Sequence, residues 1–184
     1  MSIKILALGN RYRQDDGVGP WIAEHLHKAG LAVLEVGDDL TRLVEGFAEA
    51  DEAIVVEAVV SGHPAGTIHV LEVGKQPLPS VLERSSRRFP RTPTSLELVN
   101  DRFGVTRPEM GVSSHSFDLA EAIELARTLG SLPEYTVIYG IEGQRFGSGE
   151  ELSPEVVRAA EAVIQIIMAR SGHPGTSPQT ADRP

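Results

Sequence analysis

The chain has 184 residues, 41% of them hydrophobic, with a formal net charge of −9 and a pI near 5.1, which fits one packed domain. That charge argues against broad nucleic-acid binding, which needs positive charge to displace counterions. The absence of cysteine removes disulfides, thiolate metal sites and cysteine nucleophiles together, and no stretch reaches the roughly 18 uninterrupted apolar residues of a membrane span.

Residues 3–8 (IKILAL) are a nearly continuous apolar run, as expected of a strand buried on both faces. The start MSIKILALGN turns polar too soon for a signal peptide, so a cytoplasmic protein is expected. A turn, GNRYRQDDG, follows. Val18, Ile22, Leu26 and Ala29 then repeat at helical spacing and predict a first helix ending near Gly30. A second strand is expected at 31–36. After it, Asp38 or Asp39 is placed to cap a short helix running to about Ala48. Residues 53–60 and 67–72 predict a third and a fourth strand around a SGHPAG turn.

Residues 74–112 are rich in Pro, Arg and Ser and have little periodicity, although 94–100 suits a helical turn or two. Within them, 75–110 carry seven Lys/Arg against four acids, net +3, so the rest of the chain is −12. This basic insertion is a solvated loop or a contact surface for an acidic partner, the loop being the simpler reading. A helix is expected at 116–129, with Leu119, Ala122, Ile123 and Ala126 inward and acids early, where they oppose the helix dipole. A fifth strand is expected at 135–141. Ser153-Pro154-Glu155 predicts the start of the last helix, Ser capping and Pro at its first position. The tail at 171–184 holds three prolines and few apolar residues, and is expected to be disordered. Strands alternating with helices imply an α/β domain over 1–170 with a largely parallel sheet and helices on both faces.

Three elements could carry chemistry. Glu57 interrupts an apolar strand, near the C-terminal edge where ligands collect in open α/β sheets. A carboxylate buried there must reach solvent, pair with a cation or bind a metal. Asp15-Asp16 follow strand one and open onto the same edge; they cannot both cap one helix, so one is free to face a cleft. His115 stands in Ser113-Ser114-His115-Ser116, just before a helix. His25 and His27 fall on the exposed side of helix one, His69 is read as solvent-facing, His173 lies in the tail, and His63 is a reserve candidate. Asp16, Glu57 and His115 make an oxygen, oxygen, nitrogen set that suits a borderline divalent ion such as nickel or zinc and leaves positions open.

At these residues the chain resembles the hydrogenase maturation protease family, over roughly 3–73 and 111–169. Gly9-Asn10 with Asp15-Asp16-Gly17-Val18-Gly19 is similar to the family's first block. Residues 51–67 are similar to its second, with Glu57 where the family usually has Asp. Ser114-His115-Ser116 with Asp118-Leu119-Ala120-Glu121-Ala122 is similar to its third. The resemblance implies a twisted, mostly parallel five-stranded sheet between helices, of the phosphorylase/hydrolase-like kind. It implies an endopeptidase that removes the C-terminal peptide of a nickel-iron hydrogenase large-subunit precursor after nickel insertion, and the chain is expected to act as a monomer. The nickel is carried by the substrate and engaged by Asp16, Glu57 and His115, with Asp16 also the expected base. Gly37 and Asp38, in the loop after strand two, are the expected substrate-binding residues. That loop departs from the family pattern, reading Glu35-Val36-Gly37-Asp38 where the family has Asp-Gly-Gly-Thr. Two rivals remain: a peptidyl-tRNA hydrolase-like enzyme, which needs a histidine soon after the Gly-Asn loop, and a non-cleaving nickel-dependent binding module.

Overall fold

The three most apolar runs form the centre of the sheet, because a strand covered by helices on both faces has no side for polar residues. In the computed structural model, which describes residues 2–74 and 114–172 (backbone alone for 114–118), these are β1 (Ile3–Leu8), β3 (Glu52–Val59) and β5 (Tyr135–Glu142). With β2 (Val33–Gly37) and β4 (Ile68–Gly74) they make a five-stranded sheet of order β2-β1-β3-β5-β4. All neighbours are parallel except β4, which runs antiparallel to β5 at one edge.

Alternation along each strand sends side chains to two separate cores. On one face Ile54, Val56, Val137, Tyr139 and Ile141 meet α1 (Val18–Lys28) and α4 (Pro154–Arg170). On the other, Leu6, Ala53, Val55 and Ile138 meet α2 (Leu40–Phe47) and α3 (Ser114–Thr128). The predicted inward stripe of α3, Leu119, Ala122, Ile123 and Ala126, is buried as read. Asp39, rather than Asp38, caps α2: its extended backbone lets Oδ1 accept from Thr41 N at 2.9 Å and Arg42 N at 3.4 Å.

Two expectations are corrected. Helix α3 begins at Ser114, so its first turn carries no acid, and the acids read as opposing its dipole fall further along. Serines at 113, 114 and 116 offer equivalent starting points, and spacing alone does not choose among them. Ser153 does precede α4, with Pro154 at the first position, but its hydroxyl makes no capping bond. Its hydroxyl instead donates to Asp15 Oδ2 at 2.7 Å, and its oxygen accepts from Arg145 Nε at 2.9 Å rather than from the N–H groups of the helix. The basic insertion beyond Gly74, the turn expected at 94–100, and the tail from His173 onward lie outside the described residues.

Helix α3 ends shortly before β5 begins and crosses back over the sheet, so its first turn, with His115, lies toward the C-terminal edge of the parallel strands. The loops after β1, β2 and β5 open at that same edge.

Candidate functional site at the C-terminal edge of the sheet

Two glycines let the loop after β1 fold back on its own strand. Gly9 has φ +105, and a Cβ there would lie 2.0 Å from the Asp16 carbonyl oxygen; at Gly19 a Cβ would lie 2.0 Å from that of Leu8. Only glycine permits either approach. The fold-back puts Asp15 and Asp16 in a 3-10 turn over Gln14–Gly17, where adjacent side chains point in different directions.

Asp15 turns inward and is fully buried. Its Oδ2 accepts from Gln144 N and Arg145 N, each at 2.9 Å, and its Oδ1 from Ser153 N at 2.6 Å, in addition to the Ser153 hydroxyl. Burial pushes its pKa up, but the bonds from Ser153, Gln144 and Arg145 outweigh that, and the net shift is downward. Asp15 thus clamps the 143–153 loop to the loop after β1.

Asp16 turns the other way. Its Oδ2 accepts from Asn10 N at 3.2 Å, and the Arg13 guanidinium lies 4.0 Å from it. With Leu8, Gly9, Gly37, Asp38, Leu40, Glu57 and Ala58 it lines a small open cleft with a cavity volume of about 40 Å³. That space is enough for an ion or a few water molecules. Gly37 adopts φ +68, turning the chain from β2 toward the cleft rim.

Glu57 shares its sheet face with Ala53 and Val55, the face covered by α2 and α3. It is buried, and among the described residues no hydrogen bond or ion pair reaches its carboxyl group. Burial first, and the neighbouring Asp16 charge second, push its pKa up to about 8. The sequence offered three ways to accommodate this carboxylate: solvent, a cation or a metal. Burial favours a fourth, the protonated form of Glu57.

The structure therefore brings four of the five sequence-predicted site residues, Asp16, Gly37, Asp38 and Glu57, to one cleft. The fifth, His115, has its backbone in the first turn of α3, on the same face of the sheet and toward the same edge; its side chain lies outside the described residues. His25 and His27 belong to α1, where His25 Nδ1 pairs with Trp21 O at 2.8 Å. The expectation for His69 is overturned. It is buried, not solvent-facing, and its Nε2 pairs with Glu142 Oε2 at 3.0 Å. Sequence reading also missed Glu142, although it ends an apolar strand much as Glu57 does.

No protein-family model matches the chain, and no curated protein does. Solved structures do. The hydrogenase maturating endopeptidase HybD from E. coli is similar over 92% of this chain and 91% of its own, with a TM-score of 0.65 and 22% identity. The NiFe hydrogenase maturation protease HybD from Thermococcus kodakarensis is similar over 92% and 99%, with a TM-score of 0.64 and 23% identity. An endopeptidase from Escherichia coli is similar over 99% and 100%, with a TM-score of 0.66 and 20% identity. At such identities the likeness shows a shared fold.

Proposed function

We propose that the chain is an endopeptidase that removes the C-terminal peptide of a nickel-iron hydrogenase large-subunit precursor after nickel insertion. The observation that carries this reading is Glu57, a buried carboxyl group without a hydrogen-bond partner among the described residues, beside Asp16 in a cleft of ionic size. A buried acid with no hydrogen-bond donor and a second carboxylate beside it is costly once ionised, and an arriving cation relieves that cost. The names of the structurally similar proteins supply the substrate class.

In this reading the nickel is part of the substrate. It docks on Asp16, Glu57 and His115, and Gly37 and Asp38 contact the peptide that follows. Docking fixes the scissile bond beside Asp16. The Asp16 carboxylate takes a proton from the attacking water and returns it to the leaving amine, so the C–N bond is replaced by a new C-terminal carboxylate and a free peptide. The peptidyl-tRNA hydrolase alternative requires a histidine soon after the Gly-Asn loop, where this chain has Asp15-Asp16.

The test is incubation of the protein with nickel-loaded and nickel-free precursor, followed by mass spectrometry. The loaded form should be shortened and the nickel-free form left intact. Glu57→Gln should slow processing by at least about 100-fold, as loss of a ligand charge does, while remaining folded. Binding of the loaded precursor without shortening would leave the non-cleaving module; equal processing by wild type and variant would remove Glu57 from the site.

A further inference from the structure

A second group of ligand-type side chains stands on the same sheet face as Glu57, two strands away. Glu57 pairs in register with Gly140 of β5, and Gly140 pairs with His69 of β4. Two strand spacings separate Glu57 from His69, roughly 10 Å at the backbone. Around His69 gather Glu142, from the end of β5, and His63, from the turn between β3 and β4. One ligand atom from each of the three lies within 4.8 Å of the others.

The group is ordered by its own bonds. Glu142 Oε1 accepts from Ser61 N at 2.7 Å and Gly62 N at 2.8 Å, which fixes the carboxylate and the turn together. Its Oε2 pairs with His69 Nε2 at 3.0 Å and accepts from the Ser61 hydroxyl at 2.7 Å. The Ser61 oxygen also lies 2.9 Å from His63 Nδ1. The His63 and His69 rings meet edge to face, with centroids 5.0 Å apart. Glu142 and His69 are buried, and His63 is exposed, so one side of the group is open to solvent.

We infer that His63, His69 and Glu142 form a second cation site, for a borderline divalent ion of the zinc or nickel type. Two imidazoles and a carboxylate are the donor set such ions prefer, and three protein ligands leave a fourth position open. A tetrahedral ion with bonds of about 2.0–2.2 Å sets its donors roughly 3.3–3.6 Å apart. The three donors lie within 4.8 Å of one another and would close to that spacing by movement of His63, which is exposed on the turn between β3 and β4. The ion takes the place of the hydrogen held between His69 Nε2 and Glu142 Oε2, and the backbone bonds to Glu142 Oε1 orient the carboxylate as a bound metal requires. The site is independent of the function proposed above, because it uses none of Asp16, Glu57 or His115.

The test uses the full chain carrying Glu57→Gln, which weakens the other proposed ion contact. Calorimetric titration with zinc or nickel chloride should give one ion per chain. His63→Ala should weaken that binding by at least about 10-fold, with the ion-free thermal midpoint unchanged because the side chain is exposed. His27→Ala, on an exposed helix face, should bind as the parent does. X-ray absorption of the zinc-loaded chain should show two imidazoles with oxygen completing the shell. No binding in the Glu57→Gln chain, unaltered affinity in His63→Ala, an equal loss in His27→Ala, or a shell without two imidazoles would each overturn the inference. In that case the group serves as a hydrogen-bonded clasp on the 60–63 turn.

Discussion

Asp15 and Glu142, on one side, and Glu57, on the other, are carboxyl groups buried along the same edge of the sheet in opposite circumstances. Asp15 accepts four hydrogen bonds from Gln144, Arg145 and Ser153. Glu142 is met by two backbone amides, a hydroxyl and an imidazole. For both, burial raises the pKa and the bonds from neighbours bring it below the ordinary value. Glu57 has the burial without the bonds, and its pKa rises to about 8. Burial alone therefore does not set the direction of the shift; whether hydrogen bonds to the carboxylate offset it does. The bonds to Asp15 and Glu142 tie them to the 143–153 loop and the 60–63 turn, while Glu57 lines the cleft.

The largest effect should come from cutting a bonded acid out of its network. Asp15→Ala leaves the buried Ser153 N–H and hydroxyl, and the part-buried N–H groups of Gln144 and Arg145, without their acceptor. It should destabilise the fold by about 3–5 kcal/mol in urea unfolding. Wild-type stability should show the matching pH signature. A lowered folded pKa means this contribution is present above the ordinary value of 3.8 and is lost as pH falls through the folded value. A loss below about 1 kcal/mol would show that the clamp is not needed.

Glu57 should behave in the opposite sense. Its folded pKa, about 8, lies above the ordinary 4.5, so the folded state holds a proton that the unfolded chain has released. Stability from this group is full below 4.5 and declines as pH rises toward 8. The gap between the two values sets an upper bound of about 5 kcal/mol. Glu57→Gln should abolish that decline and be the more stable protein at pH 8, while losing its proposed activity. Parallel pH–stability curves for the two proteins would break the comparison.

The contrast between these acids was only half legible in the sequence. Glu57 stood out because a charge interrupts an apolar strand, and the folding of β1, β3 and β5 follows from runs with no polar side. Asp15 and Asp16 are adjacent identical letters, and the reading that one must face a cleft did not say which. That choice depends on amides at 144, 145 and 153, more than a hundred residues away. His69 was misread for the same reason. The alternating pattern of 67–72 suits a half-exposed strand, but Glu142 arrives on the neighbouring antiparallel strand and covers the imidazole. Ser153 carried a genuine helix-start signal, and the position was right, yet its hydroxyl went to a buried carboxylate. Local propensity places elements; long-range pairing assigns the polar atoms.

The smallest effect separates the two causes of the Glu57 shift. Burial is the larger and the Asp16 charge the smaller. Asp16→Asn keeps the cleft shape and removes the charge, so the Glu57 pKa should fall from about 8 but remain above 4.5, because the surrounding apolar strand is unchanged. Carbon-13 NMR of the Glu57 carboxyl across a pH series reads this directly. A return to 4.5 would make Asp16 the governing cause and leave burial little part. No change at all would mean that the two carboxyl groups do not sense each other, and a single cation bridging them in the cleft would lose its electrostatic basis. An intermediate value would mean that burial and the neighbouring Asp16 charge both act on Glu57, and a cation shared by the two carboxyl groups in the cleft would relieve both.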